Sequence, residues 1–172
     1  MSASFHFENL AYFTTGTVGP KGQRIFFLQA QGDDGQMCVR LEKQQVAALA
    51  DYLEQVITQA DPSITASSDI DLNSAGELLE PTVPEWVVGG MSLAYNEDRQ
   101  HVIVIAEELR GDEDDDSEFA AGDSATARFS LTFGQARAFI SRARDVVADG
   151  RDPCPFCSRP LAPGDAWCPC SN

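Results

Sequence analysis

Hydrophobic and polar residues alternate in short runs along the first third of the chain, and turn-forming residues separate the runs. Apolar and aromatic residues concentrate in three of these runs, so we predict strands at residues 12–18, 24–31 and 36–41. The segment Gly32-Asp33-Asp34-Gly35 is typical of a hairpin turn. A helical period follows over residues 42–59, with apolar positions at Val46, Leu49, Ala50, Leu53 and Ile57. This part of the chain therefore predicts three strands followed by one amphipathic helix.

The second half of the chain repeats this order of elements. We predict strands at residues 85–95, 101–107 and 125–131. The first of these strands contains Gly89-Gly90, a pair typical of a β-bulge. Thr132 and Gln135 have the spacing of a capping box, which predicts the start of a second helix. The apolar face of that helix consists of Ala136, Phe139, Ile140, Ala143 and Val147.

The two predicted helices match at an offset of 90 residues. At that offset Leu41 matches Leu131, Leu49 matches Phe139, Leu53 matches Ala143 and Val56 matches Val146. We therefore predict an α+β fold of two βββα pseudo-repeats, over residues 5–60 and 85–149, joined by a linker over 61–84. Each unit alone leaves a sheet face bare, so the units are expected to pair into an antiparallel sheet core with two packed helices. The linker is expected to carry a short helix near Ala75–Leu79.

The formal net charge of −15 excludes some classes of partner. Binding to nucleic acid or to an anionic membrane requires clustered Lys and Arg, which are not found here, so neither is an expected partner. No apolar run is long enough to span a membrane. Nine acidic residues fall within residues 107–123, without the ligand spacing of a calcium loop. We predict that this acidic loop is a solvated segment rather than a Ca2+ or Mg2+ site.

Four of the five cysteines fall within the last nineteen residues, in the order C-x2-C-x10-C-x-C. They are Cys154, Cys157, Cys168 and Cys170. Thiolates at this spacing can converge on one Zn2+ as a tetrahedral four-cysteine site. Such a site leaves no coordination position open, so it predicts a structural role for the metal. We therefore divide the chain into a core over residues 1–150 and a zinc-knuckle tail over 151–172, which is too short to build a core without metal.

Two other interpretations of the tail stay open. One is a redox dithiol or disulfide that uses Cys154 and Cys157, and the other is a disordered tail with free thiols. The first residues lack the basic and apolar regions of a secretory signal, so we expect a cytoplasmic protein, in which clustered thiols favour metal over disulfides. Cys38 stands alone in an apolar run and is predicted to be a small buried residue.

Several segments of the chain resemble an uncharacterised actinobacterial family that is known only as a domain of unknown function. They are Gly16-Thr17-Val18-Gly19, Gly22-Gln23-Arg24-Ile25-Phe26-Phe27-Leu28-Gln29-Ala30, Glu85-Trp86, Leu93-Ala94-Tyr95 and the Cys-Pro-x-Cys…Cys-Pro tail from Pro153 to Pro169. In this family a His usually precedes the third Cys by two places; here Ala166 stands there, and Cys170 is the expected fourth ligand. Family members often lie beside genes for histidine-phosphatase-like and kinase-like proteins. The resemblance therefore implies phosphatase-like or kinase-like partners, and it assigns no catalytic residue.

The sequence contains no recognisable catalytic motif. Its only histidines are His6 and His101, and His101 opens an apolar strand, where a structural role is expected. Gly16–Lys21 lacks the Walker A order and is better explained as a hairpin turn. We therefore expect a non-enzymatic binding or adaptor protein with a structural zinc site and a protein partner.

Two alternative functions stay open. The first is an enzyme or sensor for a phosphorylated metabolite, which would bind between the repeats at Lys21, Arg24 and Arg99. The second is a thiol redox protein that uses Cys154 and Cys157. A pocket lined by the three bases would favour the first alternative, and a continuous surface would favour the adaptor.

Overall fold

The computed structural model describes residues 2–62, 70–110 and 124–150, together with residues 154, 156, 157 and 170. The strands of these residues are β1 (Phe5–Phe7), β2 (Leu10–Val18), β3 (Ile25–Gly32), β4 (Gly35–Leu41), β5 (Val88–Asn96), β6 (His101–Glu108) and β7 (Thr126–Thr132). The α-helices are α1 (Lys43–Ala60) and α2 (Phe133–Ala148), and a 3-10 helix spans Leu72–Ser74.

The strands form two sheets, in the orders β2-β3-β4 and β1-β7-β6-β5. Each sheet is antiparallel except that β1 pairs in parallel with β7, with Phe5 opposite Ala127. The prediction of an α+β fold with two βββα units is confirmed, since α1 follows β4 and α2 follows β7. Strand β1 was not predicted from the sequence; it precedes the first unit but joins the sheet of the second.

The segment that enters β5 connects the two sheets. Residues 85–87, which we predicted as the start of this strand, lie instead beside β4 of the other sheet. There the amide of Glu85 donates to the backbone oxygen of Cys38 at 2.8 Å, and the amide of Arg40 donates to that of Trp86 at 3.0 Å. The register shift between Val88 and Gly90 confirms the predicted bulge, which turns the chain from one sheet into the other.

Four phenylalanines fix the two sheets against α2. The ring centroid of Phe13 on β2 lies 5.2 Å from that of Phe129 on β7 and 4.9 Å from that of Phe139 on α2. Phe7 on β1 stacks on Phe129 at 5.8 Å. All four side chains are buried. Because these rings come from both sheets and one helix, burying them requires both units at once.

The linker lies against the first sheet, and the helix predicted near Ala75–Leu79 is wrong. Its backbone groups bond instead to buried polar side chains of the sheet, as Leu79 does with both amide atoms of Gln29 at 2.7 Å. Gly76 makes the equivalent contacts with the hydroxyl of Thr14. These contacts hold the backbone extended, so helical hydrogen bonds cannot form.

Two glutamines link the units reciprocally. Gln135 accepts from the Thr132 amide at 3.0 Å, which confirms the predicted capping box, and its own amide donates to the backbone oxygen of Leu10 at 2.6 Å. Gln45 in α1 closes its helix in the same way and donates to the backbone oxygen of Val88 at 3.2 Å. Leu10 and Val88 each begin the first long strand of the opposite unit. Each helix start is therefore tied to the other half of the protein.

Replacing Gln135 by Ala should destabilise the protein more than replacing Gln45 by Ala. The first change removes half of the capping box and the buried hydrogen bond to the oxygen of Leu10, which costs about 2–3 kcal/mol of unfolding free energy. Gln45 is partly exposed, so water can replace its lost contacts and the cost is about 1 kcal/mol. Urea unfolding followed by circular dichroism measures both losses. Each variant serves as the control for the other. Equal losses of unfolding free energy would contradict the prediction that Gln135 contributes more than Gln45.

Candidate metal centre

Three of the four predicted ligands come together in the structure. The Sγ atoms of Cys154, Cys157 and Cys170 all lie within 4.8 Å of one another, and those of Cys154 and Cys170 are 3.5 Å apart. Cys154 is buried and Cys170 is exposed, so the cluster spans from protein interior to surface. Cys168 lies outside the described residues, as do the predicted acidic loop beyond Arg110 and most of the tail. Glu107 and Glu108, at the start of that predicted loop, belong to β6.

The sulfur separations fit a shared metal ion. A tetrahedral centre with Zn–S bonds of about 2.3 Å places its sulfurs about 3.8 Å apart. A disulfide requires a separation of about 2.05 Å, far shorter than the 3.5 Å between Cys154 and Cys170. Three thiolates within this distance could therefore hold a metal ion, with one coordination position left for a further ligand.

The backbone beside Cys154 favours its thiolate form. The amide of Phe156 donates to Sγ of Cys154 at 3.4 Å. This bond and a second from the Cys157 amide are the main reasons that the pKa of Cys154 falls to about 6. Metals bind cysteine as the thiolate, so a turn that stabilises this form also prepares the ligand.

Cys38 belongs to a different environment. It lies on β4 opposite Gln29 of β3 and is buried, which confirms the sequence prediction. Burial raises the pKa of its thiol to about 11, with a smaller opposing effect from the hydrogen bond to Gln29. The thiol is therefore neutral near pH 7 and has little reactivity.

The structure does not bring together the three bases predicted to bind phosphate. Lys21 and Arg24 both contact the carboxylate of Asp149, at 3.7 Å and 2.8 Å, and the hydrogen bond from Arg24 lowers the pKa of Asp149. Arg99 contacts Glu8 at 3.3 Å. Asp149 follows α2, whereas Arg99 lies in the β5–β6 turn, beside the residues that lead into α2. The two positions are separated by the length of this helix, about 24 Å.

His101 contacts a serine. Its Nδ1 lies 2.8 Å from Oγ of Ser130 on the neighbouring strand, and burial followed by the nearby Arg99 lowers its pKa. A nucleophilic serine needs a base that a third group orients. Among the described residues, no carboxylate contacts His101, so the pair fits the structural role that the sequence suggested.

A groove that was not predicted from the sequence lies between α1 and β5. It has a volume of about 590 Å³ and is lined by Ala48, Tyr52 and Val56 of α1 and by residues 89–93. None of its lining residues is charged. A signal was available in the sequence, because the uncharged residues of α1 recur at helical spacing well beyond the positions needed for the core.

The fold and the cysteine cluster together define an α+β protein that could hold a metal ion near its C-terminus. The family described as "Protein of unknown function (DUF3090)" matches residues 5–168, so the chain belongs to this family. The predicted resemblance to a domain of unknown function is thereby confirmed, while its actinobacterial origin stays a prediction. No curated protein and no solved structure matches the chain.

Among the described residues, no helix is both long enough and apolar enough to cross a membrane.

Alkylation should distinguish Cys38 from the cysteines of the tail. In native protein from which a chelator has removed metal, iodoacetamide at pH 8 should modify Cys154 and leave Cys38 unreacted. The reason is that Cys154, with a pKa of about 6, is a thiolate at this pH, whereas Cys38, with a pKa of about 11, is a buried thiol. Mass spectrometry of tryptic peptides reads out both sites, and urea is the control that should expose Cys38. Equal labelling rates in the native protein would contradict the burial of Cys38.

Proposed function

We propose that this chain is a non-enzymatic binding or adaptor protein whose tail holds one structural Zn2+ through Cys154, Cys157, Cys168 and Cys170. The observation that carries the metal assignment is the convergence of three sulfurs within 4.8 Å. The sequence spacing supplies Cys168 as the remaining ligand. A zinc ion held by four thiolates has no position for water or substrate, so it stabilises structure without performing chemistry.

The contacts of the basic residues favour binding over catalysis. Lys21 and Arg24 are both paired with Asp149, which leaves their charges partly neutralised. A phosphate site would require these groups to converge with Arg99 on one ligand. We therefore place the enzyme or metabolite-sensor alternative second. The partner is proposed to be a protein, and the family resemblance suggests a phosphatase-like or kinase-like protein.

The redox alternative is third. A dithiol pair that cycles between thiol and disulfide needs two adjacent sulfurs with an accessible attacking thiolate. Here a third sulfur, that of Cys170, lies only 3.5 Å from Cys154, and all three sulfurs lie within 4.8 Å of one another. This geometry supports a shared ion better than it supports an exchanging pair.

Elemental analysis of the untagged protein, purified without chelator, should give one zinc per chain. Replacing Cys157 by Ser should remove most of this zinc, because a serine hydroxyl is a poor zinc ligand. The helical circular dichroism signal should be unchanged, because α1 and α2 lie in the core outside the tail. The matched control is Cys38→Ala, which removes a cysteine outside the cluster and should keep the zinc.

Two outcomes would contradict the zinc assignment or the division of the chain. Protein without zinc but with readily oxidised tail thiols would support the redox alternative instead. Global unfolding of Cys157→Ser would mean that the tail is part of the core.

The adaptor role is tested by reconstitution. Partners captured from extracts by chemical cross-linking are identified by mass spectrometry, purified and mixed with the protein. The proposal expects a complex of fixed stoichiometry in analytical ultracentrifugation. If no purified candidate forms such a complex, and the protein instead converts or binds a phosphorylated metabolite, the second candidate function replaces the first.

A further inference from the structure

The α1–β5 groove contains an open strand edge. β5 is the last strand of its sheet, and among the described residues its backbone pairs with β6 alone from Gly90 onward. Gln45 covers only the start of the free edge, where its amide donates to the backbone oxygens of Val88 and Gly89. Such an edge presents unpaired amides and carbonyls to any extended chain that reaches it.

The corresponding edge in the other unit is closed by this chain itself. There α2 lies beside β2, the terminal strand of the first sheet, and Arg142 donates to the backbone oxygen of Thr15 at 3.2 Å. The linker also contacts this region, where the amide of Asp71 donates to the backbone oxygen of Gly134 at 3.1 Å. Gly76 and Leu79 then bond to the side chains of Thr14 on β2 and Gln29 on β3. Helix α2, Arg142 and the linker therefore cover β2 of the first unit, whereas the corresponding edge of β5 in the second unit is open.

Side-chain exposure along the two helices shows the same difference. Tyr52 of α1 stands at the position of Arg142 in α2 and is 58% exposed, so no equivalent side chain closes the edge of β5. Three other groove positions of α1 are also more exposed than their counterparts in α2. The pairs, with the more exposed residue first, are Gln45 and Gln135, Ala48 and Ala138, and Val56 and Val146.

We propose that the α1–β5 groove binds an extended peptide segment of a partner protein, which adds as a strand to the free edge of β5. Main-chain hydrogen bonds to β5 would supply affinity, and side chains at alternate positions would point toward α1. Because the groove is lined by uncharged residues, these alternate side chains are apolar or uncharged.

Charge at one end of the groove indicates which type of residue the peptide carries there. At Gly89 and Gly90 the groove meets a second cavity, of about 730 Å³, whose charged lining residues are Glu107, Glu108 and Arg110. Arg110 donates to the hydroxyl of Ser124, so the carboxylates outnumber the bases there. The position that a Cβ would take on Gly90 lies 4.0 Å from Oε2 of Glu107. Among the described residues no base pairs with Glu107. The peptide is therefore expected to carry a Lys or Arg at the end that lies beside Gly90.

This inference rests on the proposed binding role and names the kind of partner segment that would be recognised. The probe is a phage-displayed library of random ten-residue peptides, selected on the full-length protein. We expect the enriched sequences to alternate apolar and polar residues and to carry a Lys or Arg near one end. A selection that enriches no peptide, or only acidic or proline-rich peptides, would overturn the proposal.

Groove variants test where the selected peptides bind. Ala48→Arg places a long side chain in the groove, and Tyr52→Arg reproduces the residue that closes the edge of β2. Each should weaken peptide binding at least tenfold in fluorescence polarisation. Gln44→Arg is the control, because it adds the same charge to an exposed position of α1 outside the groove, and it should change affinity less than twofold. Equal effects of Ala48→Arg and Gln44→Arg would place the peptide elsewhere.

The role of Glu107 has a separate readout. Glu107→Gln should weaken binding of the Lys-bearing peptide about two- to fivefold, as expected for an exposed charge pair. The same peptide with Gln in place of its Lys should bind both proteins equally. If Glu107→Gln weakens both peptides alike, the charge preference is wrong.

Analytical ultracentrifugation and hydrogen exchange would recognise two other occupants of the groove. A dimer in analytical ultracentrifugation that Ala48→Arg dissociates would show that a second copy of this chain covers β5. Slow hydrogen exchange along the outer edge of β5 in a monomer without peptide would show that this chain covers it. Either result would overturn the peptide proposal.

The outcomes also separate this inference from the proposed function. A reconstituted partner complex that Ala48→Arg leaves intact would reject the groove and keep the adaptor role. Absence of any stoichiometric complex would reject the adaptor role even if library peptides bind the groove.

Discussion

Neither βββα unit of this chain can bury its own sheet, and the rest of the structure follows from that constraint. Phe13 comes from the first unit and packs on Phe129 and Phe139 from the second, so the core exists only where the units meet. The reciprocal hydrogen bonds of Gln45 and Gln135 fix how the two units are oriented, because each joins a helix start to a strand of the opposite unit. Burial supplies most of the stability, while the buried polar contacts select one arrangement of the units.

Local sequence patterns predicted most of the fold. Strands with alternating residues, helices with a 3.6-residue period and the Thr132–Gln135 cap all depend on neighbours within one element, so one sequence reveals them. The pairing of β1 with β7 depends on residues more than a hundred positions apart, which no local pattern records. The linker was misjudged for a related reason. Its backbone follows Thr14 and Gln29 of a distant sheet rather than its own helical preference.

The candidate sites also differ in how far local sequence patterns could predict them. Cysteine spacing predicted the metal cluster because a thiolate has few roles and its ligand geometry restricts the spacing. Basic residues gave no comparable information, since Lys21 and Arg24 pair with Asp149 and Arg99 pairs with Glu8. The groove was missed because it is a difference between two similar units, visible only when α1 and α2 are compared in their surroundings. The repeated order of elements in the sequence predicted that the two units have similar folds. The proposed binding groove arises instead from the difference in exposure between α1 and α2.

The parallel pairing of β1 with β7 also sets the order in which the protein can be completed during synthesis. The ribosome makes β1 more than a hundred residues before the end of its partner strand at Thr132. Until that strand emerges, Phe7 and Phe13 have no ring of Phe129 to contact, and the nascent first unit exposes its apolar face. Such long-range pairing slows folding and prolongs exposure of unpaired strands. The first unit is therefore the part of this chain whose apolar surface stays exposed longest while translation continues.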